Sequence, residues 1–149
     1  MKKLIYITLF VFFTNLVKAN EFFEDITYQI LDNPPRLSYG ISVTDINQDD
    51  DYEFIVTGFG FNNLALKYRK GVLLNKVDQK IFLDKDRRTI GVAACDIDQD
   101  GFEEIYFLNT DTYSGEKKYS DRLLDINDNK FIDLFELEIN QENVNLTAG

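Results

Sequence analysis

Histidine and tryptophan are absent from the 149 residues, cysteine occurs once and proline twice. Without histidine the chain lacks the commonest general base, the commonest zinc ligand and every Ser-His-Asp or Cys-His arrangement. With Cys95 alone it cannot form an internal disulfide, and that residue reads as a small buried apolar side chain. Positive charge is scarce: 16 Lys and Arg stand against 26 Asp and Glu, a formal net charge of -10. Binding to a phosphate backbone needs a basic face, so nucleic acid is not an expected partner. Long apolar runs are also missing, except at residues 4–17. That run follows Met1-Lys2-Lys3 and leads into Val17-Lys18-Ala19, the pattern of a secretory signal cleaved after Ala19. It is shorter than the roughly 20 residues a spanning helix needs, so no membrane span is expected after cleavage. Losing Lys2, Lys3 and Lys18 would leave 13 basic residues against the same 26 acids, a net charge of -13. The expected location is therefore outside the cell or in a periplasm.

What is present is a chain able to build one core, with 44% hydrophobic and 14% aromatic residues. It also holds a repeat. Tyr39-Gly40-Ile41-Ser42-Val43-Thr44-Asp45-Ile46-Asn47-Gln48-Asp49 is matched by Ile90-Gly91-Val92-Ala93-Ala94-Cys95-Asp96-Ile97-Asp98-Gln99-Asp100. Each copy runs on into an acid and an apolar stretch, Glu53-Phe54-Ile55-Val56 and Glu104-Ile105-Tyr106-Phe107-Leu108. β-Branched and aromatic residues dominate, and no long stretch keeps a helical period. Strands are expected at 41–44, 54–57, 64–68 and 72–77 in the first copy. In the second they are expected at 92–95, 105–109, 122–126 and 131–136. Arg69-Lys70-Gly71 reads as a hairpin turn, and 110–120 as a surface loop.

Four antiparallel strands recurring at about 40 to 50 residues form the pattern of a β-propeller blade. The expected fold is thus all-β, the N-terminal part of a propeller with about two blades. Residues 39–89 would form the first blade and 90–147 the second, with 148–149 opening a third. Residues 20–38 would be an N-terminal extension, with a ring-closing strand at 26–30. Two blades alone would leave open strand edges, so further blades of a longer chain or self-association are expected.

The loop after the first strand of each copy carries the chemistry. Counted from its first aspartate, the first loop has Asp45, Asn47, Asp49 and Glu53 at positions 1, 3, 5 and 9, with the Asp51 carbonyl at 7. The second has Asp96, Asp98, Asp100 and Glu104, with the Phe102 carbonyl at 7. Alternating hard oxygen donors on a curled loop suit calcium, which takes about 6 to 8 oxygens. Magnesium prefers fewer protein ligands, and zinc or copper would want the missing histidine or a cysteine. The loops are not EF-hands: position 12 is Val56 or Phe107, inside an expected strand. A solvated acidic turn without metal is the alternative, against which stands the repetition of the same positions. The second loop is expected to bind more tightly, having one more negative ligand and Gly101 where the first has Asp50.

Asp125, Asn127, Asn129 and Asp133 share the spacing of the loops but fall at the second hairpin, where an Asn-Asp-Asn-Lys turn accounts for them. Asn145-Leu146-Thr147 has the form of a glycosylation sequon and reads as a turn.

The D-x-[DN]-x-D-x-x-x-E loops, each followed by an apolar strand, resemble the FG-GAP or VCBS repeats of integrin-α-like propellers, and Gly58-Phe59-Gly60 resembles their Phe-Gly element. More narrowly, residues 39–49, 63–67, 88–100 and 104–121 resemble the start of the cartilage acidic protein family, whose longer members add an ASPIC/UnbV domain. The resemblance implies a calcium-binding extracellular propeller for adhesion or matrix interaction, without catalysis. It places the calcium role on Asp45, Asn47, Asp49, Asp51 and Glu53, and on Asp96, Asp98, Asp100, Phe102 and Glu104. Glu at position 9, in place of the commoner Asp, and Asp50, in place of Gly, depart from the pattern. The expected function is a calcium-stabilised scaffold binding an extracellular or cell-surface protein or glycan. The alternative is the propeller portion of a secreted hydrolase or lyase, since propellers also host enzymes.

Overall fold

The computed structural model describes residues 23–31, 35–75, 82–110, 118–127 and 130–138. The expected signal at 1–19, residues 111–117 of the surface loop, the sequon and residues 148–149 lie outside them. The described chain is all-β, with no α-helix. Strands β1 (Ile41–Thr44), β2 (Glu53–Val56), β3 (Leu64–Arg69) and β4 (Val72–Asn75) form one four-stranded antiparallel sheet in chain order. Strands β5 (Thr89–Cys95), β6 (Glu104–Asn109), β7 (Arg122–Asn127) and β8 (Lys130–Asp133) form the second in the same way.

Local chemistry accounts for where these strands turn and stop. Lys70 and Gly71, at φ 50° and 83°, make the two-residue turn between β3 and β4, with both torsions positive as a tight hairpin turn of this twist requires. The strand expected at 131–136 ends at Asp133. There the carboxylate accepts the Phe135 N–H and winds Leu134–Glu136 into a 3-10 turn. The strand expected at 26–30 is likewise replaced by a 3-10 turn, Thr27–Gln29. Asp25 Oδ1 accepts the Thr27 N–H, and the N–H groups of Gln29 and Ile30 then bond back to the carbonyls of Ile26 and Thr27.

The two sheets are joined by one core. Ile55 and Ala65 of the first sheet cluster with Ile105, Phe107, Leu124 and Ile126 of the second, and all but Ile126 have no exposed surface. Phe82, from the connection between sheets, fills the middle and meets Phe107 and Phe131 edge to face at 5.9 and 5.2 Å. At the inner edge, β1 and β5 approach so closely that a Cβ on Gly40 would stand 3.2 Å from the Gly91 Cα. Gly40 is therefore a packing requirement of the neighbouring strand, whereas a Cβ on Gly91 would meet only the Leu108 side chain at 3.4 Å. Arg122 holds the connection to the second sheet, donating to both oxygens of Asp84 at 2.8 Å and to Asp133 at 2.7 Å.

The repeat is stacked head to tail. Ile55 and Tyr106 occupy the same repeat position, yet Ile55 faces the shared core and Tyr106 faces away from it. Phe54 and Ile105 are the converse pair, with Ile105 in the core and Phe54 on the open face of the first sheet. Ile26 and Ile30 of the N-terminal turn lie over that open face, against Ile41, Phe54, Val56, Leu66 and Tyr68. Cys95, expected to be buried, is exposed on the opposite, outward face of the second sheet.

Candidate metal centre

Both acidic loops curl in the same way. Positions 4 and 6 have positive φ in each: Gln48 and Asp50 at 53° and 62°, Gln99 and Gly101 at 65° and 96°. Asp50 thus adopts the left-handed geometry that Gly101 takes without a Cβ penalty. The turn is held by the first aspartate in each loop. Asp45 Oδ2 accepts the Asp50 N–H at 2.8 Å, and Asp96 Oδ2 accepts the Gly101 N–H at 3.1 Å. The last acid closes the loop against its start: Glu53 Oε2 accepts the Ile46 N–H, and Glu104 Oε2 accepts the Ile97 N–H. The loops lie side by side, with the Gln48 amide donating to the Gly101 carbonyl.

They differ in what faces the remaining oxygens. In the first loop the Lys67 ammonium sits among the carboxylates: 2.5 Å from Asp49, 3.1 Å from Glu53 Oε1 and 3.6 Å from Asp51. Its side chain is 4% exposed. Burial pushes this ammonium down, but Asp49 and Glu53 outweigh burial and leave its pKa above the ordinary lysine value. In return, the hydrogen bond from Lys67 holds Asp49 below the usual carboxylate range.

In the second loop the oxygens of Asp96, Asp98 and Glu104 come together within 4.8 Å of one another, the one such trio among the described residues. Asp96 Oδ1 and Glu104 Oε1 are buried and accept no hydrogen bond. Glu104 is 4% exposed, so its bare oxygen cannot be satisfied by bulk solvent. Burial raises its pKa, and the negative charges of Asp98 and Asp125 add to the effect. Of the other loop donors named from sequence, Asp100 turns Oδ1 to the Phe102 N–H and stays outside the trio. Asp45 spends its carboxylate on the N–H groups of Asn47, Asp49 and Asp50.

Two residues that matter here were not found from spacing. Lys67 lies directly across the ladder from Glu53. In the second sheet Ile105 pairs with Leu124, which places Asp125 across from Glu104. Asp125 stands on β7, as the strand expected at 122–126 placed it, but register brings it beside the acidic loop from which the repeat comparison had separated it. Its Oδ1 is buried without a hydrogen-bond partner, and its pKa is raised by burial and then by Asp100 and Asp98. The 1, 3, 5, 9 spacing that begins at Asp125 runs on to Asn127, Asn129 and Asp133 and does not lead to the loop; strand register brings Asp125 there.

The donor set of the second loop fits a hard divalent cation: clustered carboxylates, no nitrogen or sulfur ligand, and buried oxygens lacking a positive partner.

Fold and site together define an all-β repeat protein of two four-stranded antiparallel sheets, each carrying an acidic loop after its first strand. No protein-family model matches the chain. Its homologues are named cartilage acidic protein 1. The chain is 46% identical over 117 residues to that of Xenopus tropicalis, covering 72% of this chain and 18% of the relative. It is 39% identical over 137 residues to those of Homo sapiens and Mus musculus, covering 83% of this chain and 21% of each relative. The chain thus spans about a fifth of the length of these curated relatives.

Proposed function

We propose that the two sheets are consecutive blades of a calcium-stabilised FG-GAP/VCBS-type propeller scaffold that acts outside the cell. The observation that carries the calcium reading is the pair of buried, unpartnered oxygens on Asp96 and Glu104, two residues whose carboxylates cluster with Asp98 on a loop of hard donors. When bound, calcium would supply the positive charge those oxygens lack. Asp96, Asp98 and Glu104 would hold it, with Asp100 and the Phe102 carbonyl as further donors on the same loop.

The propeller reading is supported by the head-to-tail stacking. Equivalent repeat positions form opposite sides of the interface, so the same contact can be repeated by another unit, and closure of such a series makes a ring. The open face of the first sheet is apolar, with Ile41, Val43 and Tyr68 at least half exposed. That is the surface a neighbouring blade would cover. The names of the relatives speak of cartilage and of acidity. Extended to this acidic chain with its signal-like N-terminus, they favour a secreted matrix or adhesion scaffold that binds a protein or glycan without catalysis.

Thermal melting tests the calcium reading. Calcium at about 100 times its dissociation constant adds about 2.7 kcal/mol to a folded state that alone binds it. The midpoint should then rise by about 8 °C and fall back with chelator. Identical midpoints in calcium and in chelator would rule the reading out.

A further inference from the structure

We propose that the two loops take their cation from different sources: the first from the ammonium of its own Lys67, the second from a divalent ion that Asp125 helps to hold. The proposal rests on the calcium reading above. It adds a ligand from outside the nine-residue loop and explains why one loop alone takes the ion.

The argument compares equivalent atoms. Glu53 and Glu104 close their loops with the same oxygen on the same backbone N–H group. The other oxygen, Oε1, meets Lys67 Nζ in the first loop and no partner in the second. The residue across the ladder decides the difference, Lys67 in one sheet and Asp125 in the other. An ammonium has three donors, and Lys67 directs its nitrogen at three carboxylates, those of Asp49, Asp51 and Glu53. A divalent ion entering the first loop would have to displace this buried ammonium and then stand beside it.

In the second loop the same exchange turns a cation into an anion. Side-chain ligands Asp96, Asp98, Asp100 and Glu104 carry a formal charge of -4, and Asp125 makes it -5. Three of these carboxylates, Asp96, Glu104 and Asp125, each hold a buried oxygen without a partner. With the Phe102 carbonyl the set offers six oxygen donors, the lower end of what calcium takes. The oxygens of Asp96, Asp98 and Glu104 lie within 4.8 Å of one another, and Asp125 stands across the ladder from Glu104; carboxylates so placed repel one another without a cation, whereas calcium converts the same crowding into affinity.

The test is calcium titration of the full chain, reading both stoichiometry and affinity. One ion per chain is expected for the wild type. Asp125→Asn should weaken binding about tenfold or more, since ligand charge tunes calcium affinity. Asp125→Lys copies the first loop, whose fold already accommodates a lysine there. It should abolish binding and yield a protein that melts at the same temperature with or without calcium. Lys67→Asp should raise the stoichiometry to two ions; it is purified and measured in calcium, so that an unstable ion-free form does not obscure the count. Two ions bound by the wild type, or unchanged affinity in both Asp125 variants, would overturn the division of labour and leave the calcium reading standing. No ion bound by the wild type would overturn both.

Discussion

Glu53 and Lys67 face each other across the first sheet, with Oε1 and Nζ 3.1 Å apart, at the place where the second sheet sets Glu104 against Asp125. A single change of charge on the third strand thus separates a loop closed by its own side chain from one whose buried oxygens lack a positive partner. The repeat keeps the backbone of the loop and varies the residue that faces it.

From this contrast, Asp45→Ala and Asp96→Ala should behave differently. Asp45 accepts three backbone N–H groups within its loop, so its loss should lower the melting midpoint in calcium and in chelator alike. Asp96 has an oxygen free for the ion, so its loss should remove most of the calcium-dependent shift. Melting curves of both variants, each with and without calcium, make the comparison. Equal loss of the shift would contradict it.

Tyr106 gives an alkaline signature. Burial, followed by the hydrogen bond to Asp121 at 2.6 Å, pushes its pKa from 10.0 to about 12. A raised pKa on an acid means that the folded state keeps its proton while the unfolded state loses it. Stability from this group is therefore complete below about pH 10 and declines as pH climbs through about 12. The wild type should lose stability across that window more steeply than Tyr106→Phe, as read by denaturant midpoints at stepped pH. Parallel profiles for the two proteins would show that Tyr106 does not titrate in this way.

Phe82 should rank among the costliest side chains to remove. It is 1% exposed, comes from the connection between the sheets, and packs edge to face on Phe107 and Phe131. Phe82→Ala should cost about 3–5 kcal/mol by denaturant unfolding, because the rigid sheets on either side cannot collapse into the space. A loss below about 1 kcal/mol would mean that the connection, and not this ring, holds the sheets together.

The all-β character and the order of strands were legible because β-branched and aromatic composition, turn residues and a recurring loop are local signals. The first strand was expected at 41–44 and is Ile41–Thr44, and the Lys70-Gly71 turn falls where its composition placed it. Three expectations failed where a side-chain bond to the backbone, or the face of the strand, overrode composition. Residues 26–30 have strand-like composition, yet Asp25 starts a turn there that lays Ile26 and Ile30 over the first sheet. Asp133 ends β8 early by bonding to Phe135. Cys95 is apolar in character but alternation on β5 carries it to the outward face.

The acidic loops show the same boundary most sharply. The sequence by itself determined their backbone, because a nine-residue loop closes on itself through bonds between near neighbours, and the spacing of its acids is the spacing of its donors. Only the tertiary structure decided what those donors face. Lys67 and Asp125 reach the loops through antiparallel register, which depends on how the longer connections close and on the core that locks the sheets. The two loops that looked alike in spacing differ because side chains from the third strand, distant in sequence, arrive with opposite charge.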